Sequence, residues 1–131
     1  MATIKGVFAR EILDSRGVPT IDCTMWMDNG GIVATSVPTG TSIGKYEAKE
    51  LRDNDINRML GKGVLTAVNY INSYIAPQLI GKDPTNQEEI DQILLHMDGT
   101  DNKSKLGANT TLSVSQAALK AGALSQNYPL Y

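Results

Sequence analysis

Residues 19 to 37, "PTIDCTMWMDNGGIVATSV", constrain this chain more than any other stretch. Ile21, Cys23, Met25 and Met27 alternate with Thr20, Asp22 and Thr24, the two-residue period of a half-buried strand. "DNGG" at 28 to 31 supplies residues that tolerate positive φ, so the chain is expected to double back there. "IVATSV" at 32 to 37 then returns as a second strand, with Val33 and Val37 on one face. "IKGVFAR" near the start is a third candidate strand. The first 37 residues therefore predict a small antiparallel meander.

The character changes after residue 44. "KYEAKEL" reads as a short helix of good formers, broken by "RDND". From Gly63, the residues Val64, Leu65, Val68, Ile71 and Ile75 follow a helical stripe, and Pro77 is expected to limit its end. "DPTNQEEIDQILLHM" predicts a further helix in which Thr85 and Glu88 have the spacing of a capping box. Ile90, Ile93, Leu94 and Met97 would face its core side. The last helix is expected from near Ala108 to about Gln126. Its small residues, Ala117, Ala118, Ala121, Gly122 and Ala123, suit tight packing on the sheet. Strands first and helices later predict an α+β fold, a three-stranded meander followed by a helical bundle.

A length of 131 residues suits one domain, taken as 1–131. A formal net charge of -2 provides no basic field for nucleic acid or an anionic membrane, so neither is expected as a partner. No apolar run approaches the ~20 residues of a membrane span. "MATIKGVFAR" lacks the apolar region of a secretory signal. Cys23 is the single cysteine; it cannot form an internal disulfide and points to a reducing compartment, so a cytoplasmic location is expected.

Candidates for chemistry are few. His96 is the only histidine, which leaves no basis for a Ser-His-Asp or Cys-His set, and it reads as a surface or boundary residue. Cys23 lies on the apolar face of its strand and reads as a buried small hydrophobe. One cysteine and one histidine exclude a zinc site of the usual kind within the chain. Glu47, Glu50, Asp53, Asp55, Glu88, Glu89 and Asp91 could serve acid-base chemistry or magnesium, but most read as a solvated face. The loop "PTGTSIGK", 38 to 45, invites comparison with a phosphate cradle. A P-loop needs four residues between its glycines and a hydroxyl after the lysine. Here only three separate Gly40 from Gly44, and Tyr46 follows Lys45. By pattern alone the loop is a strand-to-helix turn.

Six segments, in order, carry a resemblance that the patterns do not. "AREILDSRGVPT", "VPTGTSIGKYEAKELRD", "GKGVLTAVNYIN", "IAPQLIGKDPTNQEEID", "DGTDNKSKLGANTTLSVS" and "YPLY" resemble the amino-terminal domain of the enolases, the glycolytic phosphopyruvate hydratases. The resemblance runs from about Phe8 to Tyr131. It implies an opening three-stranded meander followed by helices, with a catalytic α/β barrel absent from these residues and expected beyond Tyr131. It implies dehydration of 2-phosphoglycerate to phosphoenolpyruvate with two magnesium ions per active site, neither tightly bound by this chain. The base, the acid and the magnesium carboxylates would lie in the barrel, so the chain alone is expected to be inactive.

The resemblance also assigns residues within the chain. The substrate loop would be Thr39, Gly40, Thr41, Ser42, Ile43 and Gly44, closing over substrate, with Ser42 completing the second magnesium site. Enolases read Ser-Gly-Ala-Ser-Thr-Gly there, so Thr39, Thr41 and Ile43 are departures while Ser42 and both glycines match. Arg10 and Asp22 match positions resembling dimer-interface ion-pair partners. The implied partners are the chain's own carboxy-terminal barrel, a second subunit of a homodimer and a small-molecule substrate. The alternative is a stand-alone, non-catalytic domain serving as a binding module.

Overall fold

The computed structural model describes residues 2–37, 51–58, 61, 63–99 and 106–126. The expected meander is present: β1 (Ile4–Leu13), β2 (Pro19–Met27) and β3 (Ile32–Ser36) form an antiparallel sheet in the order β1-β2-β3. Each turn is built by its sequence. In the first, the Asp14 carboxylate accepts the backbone N–H groups of Arg16 (2.8 Å) and Val18 (2.9 Å), and Gly17 takes a φ of +75°. In the second, the expected "DNGG" turn, Met27 N–H donates to Gly31 O at 2.9 Å and Gly30 takes a φ of +90°.

Among the described residues, four α-helices and one π turn follow. α1 (Leu65–Tyr70) continues through a π turn (Ile71–Ile75) into α2 (Ala76–Leu79); α3 is Gln87–Asp98 and α4 is Ala108–Ser125. α4 lies on β2 and β3, and the α1–α2 arm lies on β1. Between these layers sits one core, in which Ile21, Cys23, Met25 and Met27 meet Ile71, Ile75, Ile90, Leu94, Val114 and Ala117. The alternation of β2 thus delivers its apolar side to the helices. Cys23 is buried there as expected, and burial pushes its thiol up to about 12. Among the described residues no helix is long and apolar enough to cross a membrane.

Three local expectations are corrected. Pro77 does not end its helix, which runs on to Leu79. The Ala76 N–H donates to Ile71 O, five residues back, so Pro77 enters at the start of a new α-helical turn, where its missing N–H breaks no bond. Leu65 is 48% exposed, because the buried side of this arm runs through Val64, Ala67, Ile71 and Ile75, and one residue's step turns a side chain by about 100°. Thr85 does not cap α3. Asn86 does, its side chain accepting the Glu89 N–H, while Thr85 is drawn back onto the Asp83 carboxylate. The expected helix over 45–51 lies outside the described residues except for Leu51, which is non-helical.

The sheet edges are covered. Asn72, carried on the π turn, accepts the Ala9 N–H (2.7 Å) and donates to Ala9 O (3.0 Å). Gly81 and Lys82 exchange backbone hydrogen bonds with Ile4, and Lys120 Nζ donates to Ala34 O on the opposite edge. Strand edges satisfied in this way offer little to a foreign strand.

Two substitutions probe the helix packing. A Cβ added at Gly122 would lie 2.7 Å from Pro84 O. Gly122→Ala is therefore expected to destabilise by about 1–3 kcal/mol, against the gain that alanine normally brings inside a helix. Denaturant titration checks the sign. The buried Thr110 hydroxyl has no hydrogen-bond partner among the described residues. Thr110→Val keeps the shape, removes the unsatisfied group and is expected to stabilise by about 1 kcal/mol in the same measurement.

Candidate functional site

Residues 38–50, which include Thr39, Gly40, Thr41, Ser42, Ile43 and Gly44, lie outside the described residues. The residues on either side of them are held firmly. Val37 is buried after β3; its N–H donates to Ile21 O at 3.1 Å and its carbonyl accepts the Thr20 hydroxyl at 2.5 Å. At the other end, Leu51 N–H donates to Asn109 Oδ1 at 2.9 Å and Leu51 O accepts Asn109 Nδ2 at 3.0 Å. Asn109 is itself buried in the first turn of α4. Gly107, which precedes that turn, sits so near that an added Cβ would lie 2.4 Å from Leu51 Cβ. It also holds a φ of +93°, so glycine is required there on two counts. Arg52 then reaches back, Nη1 donating to Pro19 O at 2.5 Å. The start of β2 is thus tied to both ends of the 13-residue connection.

A second polar group sits next to this one. Glu11 accepts Arg58 in a fork, through Oε2 from Nη1 at 3.0 Å and through Oε1 from Nη2, and its Oε2 also accepts the Val64 N–H at 2.8 Å. Asp53 accepts the Thr66 N–H (2.8 Å) and the Leu65 N–H (2.9 Å), which caps α1 from outside the helix. α1 has no side-chain cap at its own N-cap position, Val64. Gly63 passes between these side chains; an added Cβ would lie 2.4 Å from Arg58 Nη1. The Arg58 guanidinium, partly opposed by burial, holds the Glu11 carboxyl below its ordinary range. At Asp53 burial raises the pKa, but the N–H groups of Thr66 and Leu65 outweigh it and the carboxyl is lowered. These oxygens are committed to the chain's own donors and are unsuited to accepting a proton near neutrality or ligating a metal. Among the described residues, no group of three or more His, Cys, Asp or Glu could hold a metal ion.

Arg10 and Asp22 face each other across β1 and β2 on the side of the sheet away from the helices. Arg10 Nε donates to Asp22 Oδ2 at 3.0 Å, and the Ser36 hydroxyl donates to Asp22 Oδ1 at 3.2 Å. The Asp22 side chain is 12% exposed and that of Arg10 is 70% exposed, so the guanidinium still faces solvent. His96 is exposed on α3, as the sequence reading expects. Among the described acids read as solvated, Asp53 and Asp91 are exceptions: Asp53 accepts N–H groups about a dozen residues downstream, and Asp91 accepts the Ser115 hydroxyl at 2.7 Å and Gln87 Nε2 at 2.9 Å; Glu47 and Glu50 lie outside the described residues.

The described residues define an α+β body, a sheet packed by helices that holds both ends of a long connection. Comparison with known proteins is consistent with that form. The family model described as "Enolase, N-terminal domain" matches residues 4–131. An enolase of Anaplasma phagocytophilum (strain HZ) is 53% identical over 131 residues, covering all of this chain and 30% of the relative. An enolase of Ehrlichia canis (strain Jake) is 56% identical over 129 residues, covering 98% of this chain and 31% of the relative. An enolase of Ehrlichia chaffeensis (strain ATCC CRL-10679 / Arkansas) is 54% identical over 129 residues, with the same shares covered. The chain spans about three tenths of the length of these curated relatives. It belongs to the enolase amino-terminal domain family.

The Glu11 group makes a pH prediction. Because the folded-state pKa is lowered, its stabilisation is fully present above the ordinary value of 4.5 and is lost as pH falls through the folded value. Glu11→Gln is expected to destabilise by about 1–3 kcal/mol at neutral pH, since it breaks a fork and unpairs Arg58. The gap between variant and parent should narrow steadily below about pH 4.5 in chemical denaturation.

Proposed function

We propose that this chain is the substrate-loop and dimer-contact domain of a phosphopyruvate hydratase, which interconverts 2-phosphoglycerate and phosphoenolpyruvate in glycolysis. The family match over residues 4–131 carries the reading. A carboxy-terminal barrel domain would hold the base, the acid and the carboxylate ligands for two magnesium ions. This domain's part would be the loop Thr39, Gly40, Thr41, Ser42, Ile43 and Gly44, folding over substrate and excluding water. Ser42 offers a hydroxyl and a backbone carbonyl, hard oxygen donors of the kind magnesium takes. When bound, magnesium supplies positive charge against the developing enediolate. In this reading Gly40 and Gly44 would be the loop's hinge points, and the β-branched Thr41 and Ile43 would stiffen it relative to the usual family pattern.

Arg10 and Asp22 are the proposed contact with the second subunit of a homodimer. Two observations support this. Arg10 keeps its guanidinium open to solvent while anchored by one nitrogen to Asp22, and Phe8 and Ile32, on the same open face, are 47% and 66% exposed. A cytoplasmic location accompanies the glycolytic reading.

A coupled assay of phosphoenolpyruvate formation tests the proposal. The full-length protein should be active only with magnesium, and the 131-residue chain should be inactive. Ser42→Ala in the full-length protein should raise the magnesium concentration for half-maximal rate by at least about tenfold. A full-length parent with no magnesium-dependent activity would end this reading.

A further inference from the structure

Two asparagine- or aspartate-glycine pairs occur in the chain, Asn29-Gly30 and Asp98-Gly99, and the fold treats them differently. Asp98 ends α3 and is 2% exposed; its Oδ2 accepts the Leu106 N–H at 2.7 Å, and the Gly99 N–H is held by Leu95 O at 2.9 Å. Asn29 and Gly30 are both exposed, at the tip of the β2–β3 turn. The turn is anchored on either side of them. The Asp28 carboxylate accepts the Thr3 N–H and the Thr3 hydroxyl, each at 3.0 Å, and Met27 N–H donates to Gly31 O at 2.9 Å. Gly30 holds a φ of +90°, and a Cβ added there would meet nothing within 4 Å. The turn needs glycine for its backbone, and the same glycine leaves its own nitrogen without a side chain to shield it. Asn29 Oδ1 accepts the Gly31 N–H at 2.9 Å, a contact that stabilises negative charge as it grows on that oxygen. The Gly30 N–H donates to Met27 O at 3.1 Å, one hydrogen bond at an exposed tip that local opening releases.

We propose that Asn29 is a site of spontaneous covalent modification, deamidating through attack by the Gly30 backbone nitrogen. The proposal is independent of the hydratase reading. The Gly30 nitrogen, having lost its proton to solvent, bonds to Asn29 Cγ. The Cγ–Nδ2 bond then breaks, and Nδ2 takes one proton from solvent and leaves as ammonia. The product is a five-membered succinimide. Water adds to one of its two carbonyls. Breaking the bond from the ring nitrogen to Asn29 Cγ gives aspartate. Breaking the bond to the Asn29 backbone carbonyl carbon gives isoaspartate, in which the main chain passes through the side chain. Nothing is oxidised or reduced, and water is the only co-reactant. Isoaspartate lengthens the turn by one backbone atom, so the Met27–Gly31 bond cannot close in its present geometry. It also places a new carboxylate beside Asp28.

The test incubates the folded, full-length protein in oxygen-18 water at neutral and mildly alkaline pH, followed by digestion in ordinary water and peptide mapping by mass spectrometry. The peptide carrying Asn29 should gain about 3 Da, about 1 Da from amide to carboxyl and about 2 Da from the labelled oxygen. Conversion during digestion would add only about 1 Da and is thereby set apart. An isoaspartyl carboxyl methyltransferase should methylate the converted peptide. The rate should rise about tenfold per pH unit, as the deprotonated nitrogen becomes more abundant. Asn29→Gln, whose attack would have to close a larger ring, should cut conversion at this position by at least about tenfold. Asp98 should stay unmodified in the folded protein and yield isoaspartate only in urea. Conversion at Asn29 in urea but not in the folded protein would overturn the proposal. Equal conversion at Asp98 in the folded protein, or a rate at Asn29 independent of pH, would do the same.

Discussion

β2 is the member on which the other elements depend. Among the described residues it is the only strand hydrogen-bonded on both sides, and its inner face is apolar from Ile21 to Met27. Burying that face removes four large or medium side chains from water at once, each worth roughly 1.5–3 kcal/mol for the larger ones. The helices have no comparable source of order. The α1–α2 arm needs a cap from Asp53, and α4, rich in alanine, is held by its fit against β2, β3 and the Pro84 backbone rather than by a strong amphipathic stripe. Loss of the β2 face would remove the surface on which α4 lies.

The legible part of the fold was the part written in short periods. Alternation across 19–27, the "DNGG" turn and the spacing of Ile90, Leu94 and Met97 each act within a few residues, and each produced its element. Errors arose where the deciding partner was distant in sequence. Pro77 reads as a helix end until the Ala76 to Ile71 bond is known. Thr85 reads as a cap until Asp83 competes for its hydroxyl. Asp53 reads as a solvated acid because its two N–H partners belong to a helix that begins beyond the next turn. Asn109 gave no signal at all, since nothing in "GANTTLSVS" announces a bond to Leu51, 58 residues earlier. For the loop itself, spacing excluded a nucleotide cradle but could not supply a role; the role proposed for it comes from the resemblance to a family.

The polar residues of the domain divide into two sorts. Glu11, Asp53, Arg58 and Asn109 are engaged with backbone or with one another, and their work is to hold segments in place. Arg10 is anchored at one end only and presents the rest of its charge outward. A buried, doubly bonded side chain resists substitution for reasons of stability, whereas a half-anchored surface cation is free to be judged by what it meets. The same distinction separates the inner face of the sheet from the outer one.

Trp26 lies on that outer face, its ring resting on Gly6 where the β1–β2 register shifts; a Cβ at Gly6 would meet the ring at 2.2 Å. It is the only tryptophan in the chain and is partly exposed. The protein therefore carries a single indole, which can be excited selectively over its five tyrosines, seated on the open side of the sheet two residues along each strand from Phe8 and Thr24. Its emission reports the polarity of that one surface, so any body that covers the face dehydrates the indole and announces itself optically, without a label.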